Sequence, residues 1–167
     1  MEKKKGLNYA GFVSRLIAWI IDSLIAMVPG MIVSFLLMGW ILSSPPAPYG
    51  TSAEEAVQRA TLTVTRILTS ITSMFIGLGV GLIVYLYNNV YLVATKGASI
   101  GKNFMKLKVT DLEGKYPIGY GKALLREVVG KFVSSIILYL GYLLIIVDER
   151  KQGLHDKIAG TYVIKEE

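Results

Sequence analysis

Three stretches of the chain are apolar enough to leave water, roughly residues 12 to 42, 64 to 94 and 123 to 147, and polar segments divide them. The first two exceed the roughly 20 residues that a helix needs to cross a hydrocarbon layer about 30 Å thick, so each predicts a transmembrane helix. Pro29-Gly30 near the middle of the first predicts a kink. Along one face of that run, Gly11, Arg15, Ala18, Asp22, Ala26 and Gly30 recur at three- and four-residue spacing, so small residues surround both charges. The second run answers with Thr69, Ser73, Gly77 and Gly81. Gly77 and Gly81 form the GxxxG pattern that lets backbones approach closely in lipid, and the two helices are expected to pack through these faces.

The third run is shorter. Its charge-free core, Phe132 to Val147, would rise only about 24 Å as a straight helix, and Gly141 interrupts it. Two flanking patches read as strands: Met105 to Thr110, leading into a turn at Asp111 to Gly114, and Gly160 to Lys165 at the end of the chain. If these pair, both lie on one side of the membrane, and the third run is a helical hairpin that enters and leaves from that side. A third full crossing, with the C-terminus on the opposite side, is the alternative. The expected fold is therefore an all-α membrane protein of one domain, residues 1 to 167. It has two long transmembrane helices, a third short hairpin or segment, and a small cytoplasmic β-hairpin or C-terminal strand.

Composition changes the picture little. A mean hydropathy of +0.51, with 53% apolar and 18% charged residues, excludes an ordinary soluble domain. The formal charge of +6 comes from Lys and Arg at the ends of apolar runs, where they report topology, so nucleic acid is not expected as a partner. Lys3, Lys4 and Lys5 precede the first run, and Lys96, Lys102, Lys106, Lys108, Lys115 and Lys122 follow the second. Both the N-terminus and the 95 to 122 loop are thus expected in the cytoplasm, with residues 43 to 63 translocated. The absence of Cys removes thiolate chemistry, and a lone His155 cannot build a multi-histidine metal site. No cofactor or metal is expected.

The candidate chemistry lies in charges at membrane depth. Asp22 sits well inside the first run, and Arg15 lies two helical turns before it on the same face. Arg126 and Glu127 stand at the entrance of the third run with Lys131 one turn deeper. Asp148 to Lys151 and then Gly153-Leu154-His155-Asp156-Lys157 stand at its exit. If Asp22 faces Arg15 or Arg126, each group lowers the other's cost in low dielectric. Lys131, Lys151 and Lys157 read instead as headgroup contacts; Tyr85, Tyr87, Asn88, Asn89 and Tyr91 could coordinate a solute but read more readily as an interfacial belt near the cytoplasmic surface. Gly97-Ala98-Ser99-Ile100-Gly101-Lys102 approximates a phosphate loop. Its glycine spacing is one residue short, no Ser or Thr follows the lysine, and it follows a membrane helix, so it is not read as a nucleotide site.

Taken together, Ala10-Gly11-Phe12 with Arg15, Ala18 and Asp22, then Ser99-Ile100-Gly101-Lys102, Leu125-Arg126-Glu127, and Gly153 to Val163 resemble the RDD family of bacterial and archaeal membrane proteins. The resemblance spans nearly the whole chain. Arg15 and Asp22 match the first two letters of the family's name, and Asp156 is placed at the third, with Asp148 the other candidate. Family members generally carry Thr where Ser99 stands, which keeps the hydroxyl. The resemblance implies a prokaryotic cell membrane and, in some members, transport or cation/proton exchange. The expected function is therefore a small, homo-oligomeric transporter for a cation or proton, with Arg15, Asp22, Arg126, Glu127, His155 and Asp156 as its ion or substrate site and no catalytic residues. The alternative is a membrane scaffold or accessory subunit whose buried charges serve assembly.

Overall fold

In lipid every backbone polar group must be satisfied within the segment, so a long apolar run folds as a helix whatever its local propensities. The computed structural model follows this rule over residues 8–43, 52–136 and 140–166, the residues it describes. Lys3, Lys4 and Lys5, the loop prolines Pro45, Pro46 and Pro48, and residues 137–139 lie outside the described residues. Helix α1 is Phe12–Leu42, continuous through Pro29. Helix α2 is Ala53–Leu86, which passes through a π-helical turn, Tyr87–Tyr91, into α3, Leu92–Lys96. Both α1 and the Ala53–Lys96 run are long and apolar enough to cross a bilayer. Phe35, Leu36, Trp40, Phe75 and Ile83 are exposed on them, as side chains facing acyl chains must be.

The second helix starts at Ala53, well before the expected residue 64, so residues 53 to 63 of the segment read as a translocated loop are helical. The cause is a capping box. The Glu55 carboxylate accepts from the Ser52 N–H (3.2 Å) and hydroxyl (2.8 Å), and the Glu55 N–H donates back to Ser52 Oγ (3.3 Å). Glu54 and Glu55 also complement the positive end of the helix dipole. Farther along, Thr61, Thr63, Thr65, Thr69 and Thr72 donate their hydroxyls to the carbonyl four residues earlier, which hides these groups from lipid.

Contacts divide the chain into two units. One, Ala26–Ile83, is the pair formed by the later part of α1 and most of α2. Its two helices meet through small residues. A Cβ on Gly77 would overlap Ser34 and the Gly30 carbonyl, and one on Gly81 would stand 3.1 Å from the Ala26 carbonyl. Ser34 donates to the Ser73 carbonyl (3.2 Å) across the same seam. Gly30, which the sequence places at a kink, is thus part of the helix contact.

The other unit comprises the residues up to Ile25 and those from Val84 onward. After α3, Gly97 adopts a left-handed φ of 74° and Ser99 caps the short helix α4, Ile100–Phe104. Strand β1, Leu107–Asp111, follows, then α5, Gly119–Leu124, a second π-helical turn, Leu125–Gly130, and α6, Lys131–Ile136. Helices α7, Leu140–Val147, and α8, Leu154–Ala159, lead to β2, Thr161–Lys165. Strands β1 and β2 pair antiparallel with Val109 opposite Val163, both buried. Residues 8 to 10, unforeseen as an edge, line the other side of β2: the Ala10 N–H donates to Val163 O (2.9 Å) and the Lys165 N–H to Asn8 O (2.8 Å). Leu107, Val109, Val163, Val93 and Ala123 form the core beneath. The third apolar run is bent, its flanking helices differing by 93° in axis. Gly141 permits the close return, because a Cβ there would lie 2.9 Å from the Ser134 side chain.

The glycine seam predicts a graded response. Gly77→Leu should cost about 1–3 kcal/mol of stability or abolish folding, as overpacking does, whereas Gly79→Leu, which meets nothing within 4 Å, should be neutral. Thermal unfolding of the two purified variants checks this, and equal stability would show that the Gly77 face meets lipid.

Candidate functional site

Both π-helical turns carry the side chains that matter. Widening a helix by one residue per turn shifts side chains off the regular face, and such turns recur at functional sites. Asn88 and Asn89 on the first, and Arg126 and Glu127 on the second, are buried. The belt reading fits only Tyr87 and Tyr91, which are exposed and stacked at 5.2 Å.

Asp22 does not face Arg15 or Arg126. Its Oδ1 accepts from Asn88 Nδ2 and the Gly101 N–H, both at 2.7 Å, and its Oδ2 accepts from the Ser99 hydroxyl at 2.5 Å. The Ile100 N–H donates to Asn88 Oδ1 (2.9 Å), which fixes the amide. Gly101 is needed for the approach, because a Cβ there would overlap the Ala18 carbonyl and crowd the Asp22 carboxylate. The sequence points to Asp22 but not to its partners. The Ser99-Ile100-Gly101 segment, which approximates a phosphate loop in sequence, is the cradle of this carboxylate.

The two arginines converge on Asp156 instead. Arg15 Nη1 lies 2.5 Å from Asp156 Oδ2 and Arg126 Nη2 lies 2.8 Å from Oδ1, with the carboxylate fully buried. The Gly153 N–H also donates to Oδ2 (3.1 Å), so Asp156 caps α8 as well. Burial alone would raise this carboxyl, but the charges of Arg126 and Arg15 hold it below the ordinary carboxylate range. Neighbouring His155 Nε2 is 3.6 Å from Asp156 Oδ1, and its ring packs on Tyr142. Burial pushes this imidazole down to about 4, so it is neutral at pH 7. Asp148, the other candidate for the family's second aspartate, pairs with Lys157 (2.5 Å) on the partly exposed surface.

A second cluster centres on Glu127. Lys131 forms a close ion pair with its Oε2, Tyr85 donates its hydroxyl to the same oxygen (3.3 Å), and Lys131 donates to the Tyr85 hydroxyl (3.1 Å). Lys102 Nζ stands 3.8 Å from Oε1, and burial pushes its ammonium down to about 8 against the pull of Glu127. Lys131 is thus part of the interior network and not a headgroup contact, and Tyr85 belongs there too.

These groups line one cavity of about 350 Å³, into which Arg15, Asp22, Lys102, Arg126, Glu127, Lys131 and His155 all project, beside Trp19, Asn89 and Tyr142. Asp156 lies behind the arginines. Among the described residues, Nη2 of Arg15, Nε and Nη1 of Arg126, and Oε1 of Glu127 have no hydrogen-bond partner. The sequence thus nominates most of this cluster but misses Lys102, Lys131, Asn88 and Ser99. Two adjacent asparagines at the end of an apolar run were the available signal, since a buried amide needs a partner.

Because Asp22 is held by neutral donors, Asp22→Asn should lower stability by about 1–2 kcal/mol through weaker hydrogen bonds. Neutralising Arg15 or Arg126 in the same protein should not restore it. Thermal melts of the single and double variants decide the matter, and recovery in Asp22→Asn with Arg126→Gln would show that the two charges do pair.

The family model for the RDD family matches residues 9–160. The uncharacterized protein YxaI of Bacillus subtilis is 30% identical over 162 residues, 93% of this chain and 96% of that protein. The proline-rich antigen homolog of Mycobacterium tuberculosis is 38% identical over 88 residues, which cover 52% of this chain but 36% of the antigen. An uncharacterized membrane protein, YteJ of Bacillus subtilis, is 32% identical over 85 residues, 51% of each chain. No solved structure matches. With the family match covering both long helices, the two π-helical turns and Asp156, the chain belongs to the RDD family.

Proposed function

We propose that this membrane protein is a small transporter, working as a cation/proton exchanger, whose exchange site is the Glu127 side of the charged cavity. The observation that supports this most is Glu127 itself: a buried carboxylate that lines the cavity and keeps one oxygen, Oε1, without a hydrogen bond among the described residues. Exchange needs a carboxylate that can hold a cation and a proton in turn. Asp22 is less suited, since both of its oxygens accept hydrogen bonds from protein donors. Lys131 is paired with Glu127 in the arrangement described, and a transported cation would take its place. His155 and the Arg15, Arg126 and Asp156 charges would close one side.

The topology that goes with this reading follows from the sheet. Strands hydrogen-bonded to each other cannot lie on opposite sides of a bilayer. Residues 8 to 10, β1 and β2 therefore share one side, and the bent third run enters and leaves from it. The lysine bias supports putting that side in the cytoplasm of a prokaryotic cell, with the N-terminus there. Two crossings and a bent hairpin are too few to enclose a pathway, so transport implies a homo-oligomer.

A scaffold role is the second reading, favoured by the saturation of Asp22, which ties α1 to the segment at Ser99 and Gly101 as a structural bolt would. Liposomes containing the purified protein and a trapped pH-sensitive dye separate the two. A pulse of external Na+ or K+ should change internal pH in the exchanger. Glu127→Gln should abolish the response in a protein that still folds, while Ser135→Ala, which removes a hydroxyl that does not line the cavity and is satisfied by Lys131 O, should leave it intact. Absence of any cation-driven pH change in the unaltered protein would favour the scaffold.

A further inference from the structure

The arginine side of the cavity carries more positive charge than its partners neutralise. Arg15 and Arg126 share a single carboxylate, Asp156. Counting the groups named above, Arg15, Arg126, Lys102 and Lys131 stand in or beside the cavity with Asp22, Glu127 and Asp156, four cations against three anions. The surplus sits on the guanidinium groups, where Nη2 of Arg15 and Nε and Nη1 of Arg126 have no partner among the described residues. Arg126 is nearly fully buried, so these N–H groups have little access to bulk water. A guanidinium offers a planar fork that matches the geometry of an oxyanion, and donors of this kind are costly to leave unmade.

The rim of the same cavity has the opposite character. Leu16, Trp19 and Leu143 line it and are exposed, on helices whose outer faces are apolar throughout. A free anion arriving from water would meet a greasy entrance. An amphiphile arriving sideways from the bilayer would place its head on the arginines and its acyl chains along Leu16, Trp19 and Leu143.

We infer that the cavity binds an amphiphile with a phosphate-class anionic head, an acidic phospholipid of the surrounding membrane, held by the unpaired N–H groups of Arg15 and Arg126. This binding goes beyond transport and would hold in a scaffold equally well. The general physics is that of basic pockets between membrane helices, which recognise lipid head groups by charge and fork geometry.

Trp19 supplies the readout. The chain has two tryptophans, so Trp40→Phe leaves Trp19 as the only indole. The protein in phosphatidylcholine nanodiscs is titrated with brominated phosphatidylglycerol or brominated phosphatidylcholine, whose bromines quench a nearby indole. Phosphatidylglycerol should reach half-maximal quenching at about a tenfold lower mole fraction, the preference expected of one to two cationic contacts. Arg126→Gln should remove the preference. Arg126→Lys, which keeps a charge for Asp156 but has no fork, should reduce it severalfold and decides the matter if the Gln variant does not fold. Equal quenching by the two lipids, or a preference unchanged in Arg126→Lys, would overturn the inference. So would loss of the preference on adding millimolar inorganic phosphate at constant ionic strength, which would identify a free anion as the ligand. Because this is equilibrium binding, it stands or fails independently of any flux.

Discussion

Asp156 is the residue on which the charged interior depends. Its carboxylate is fully buried, and two guanidinium groups reach it from α1 and from the second π-helical turn while it caps α8. A buried carboxylate with one cation barely recovers its desolvation cost, and removing any partner strands the others at about 3–5 kcal/mol. Three elements far apart in sequence are thereby tied together: the start of α1, the entrance of the third apolar run, and the short helix before β2. The sheet reinforces the same junction, since residues 8 to 10 dock on β2 and the Ala10 carbonyl accepts from Arg15 Nε. Once this junction is made, Arg15 and Arg126 are positioned to line the cavity, and His155 is held neutral beside them.

The π-helical turns show how the fold brings polar groups inside without exposing backbone to lipid. Each occurs where an apolar helix must present two adjacent polar residues to the interior, Asn88-Asn89 in one and Arg126-Glu127 in the other. Asn88 then reaches Asp22, and Glu127 meets Lys131 one turn on. The result is two charge clusters, one of arginines on a carboxylate and one of lysines on another, beside the cradle of neutral donors that holds Asp22.

What the sequence made legible is what depends on pattern. The lengths of the apolar runs gave the two spanning helices, the four-residue ladder from Thr69 to Gly81 indicated the face on which Gly77 meets Gly30, and the short charge-free core from Phe132 to Val147 favoured a hairpin over a third full crossing. Alternation at 105 to 110 and 160 to 165 marked the strands that pair. What depends on long-range geometry was not legible. Arg15 and Asp22 share a helix face and invite pairing, yet three neutral donors claim the aspartate and Asp156 takes the arginine. Lys131 looked like a headgroup contact because nothing in a linear chain reveals that Tyr85 and Glu127 will stand beside it. The early start of α2 was readable from Ser52 and Glu55, but polarity there reads more readily as a loop.

The most direct test of this account is a double-mutant cycle on Arg126 and Asp156, read as thermal or denaturant stability in a fixed detergent. If their ion pair organises the interior, Arg126→Gln and Asp156→Asn should each cost about 3–5 kcal/mol, and the double variant much less than their sum, because each single change strands a buried charge that the other removes. Additive losses, with no coupling between the two positions, would contradict it.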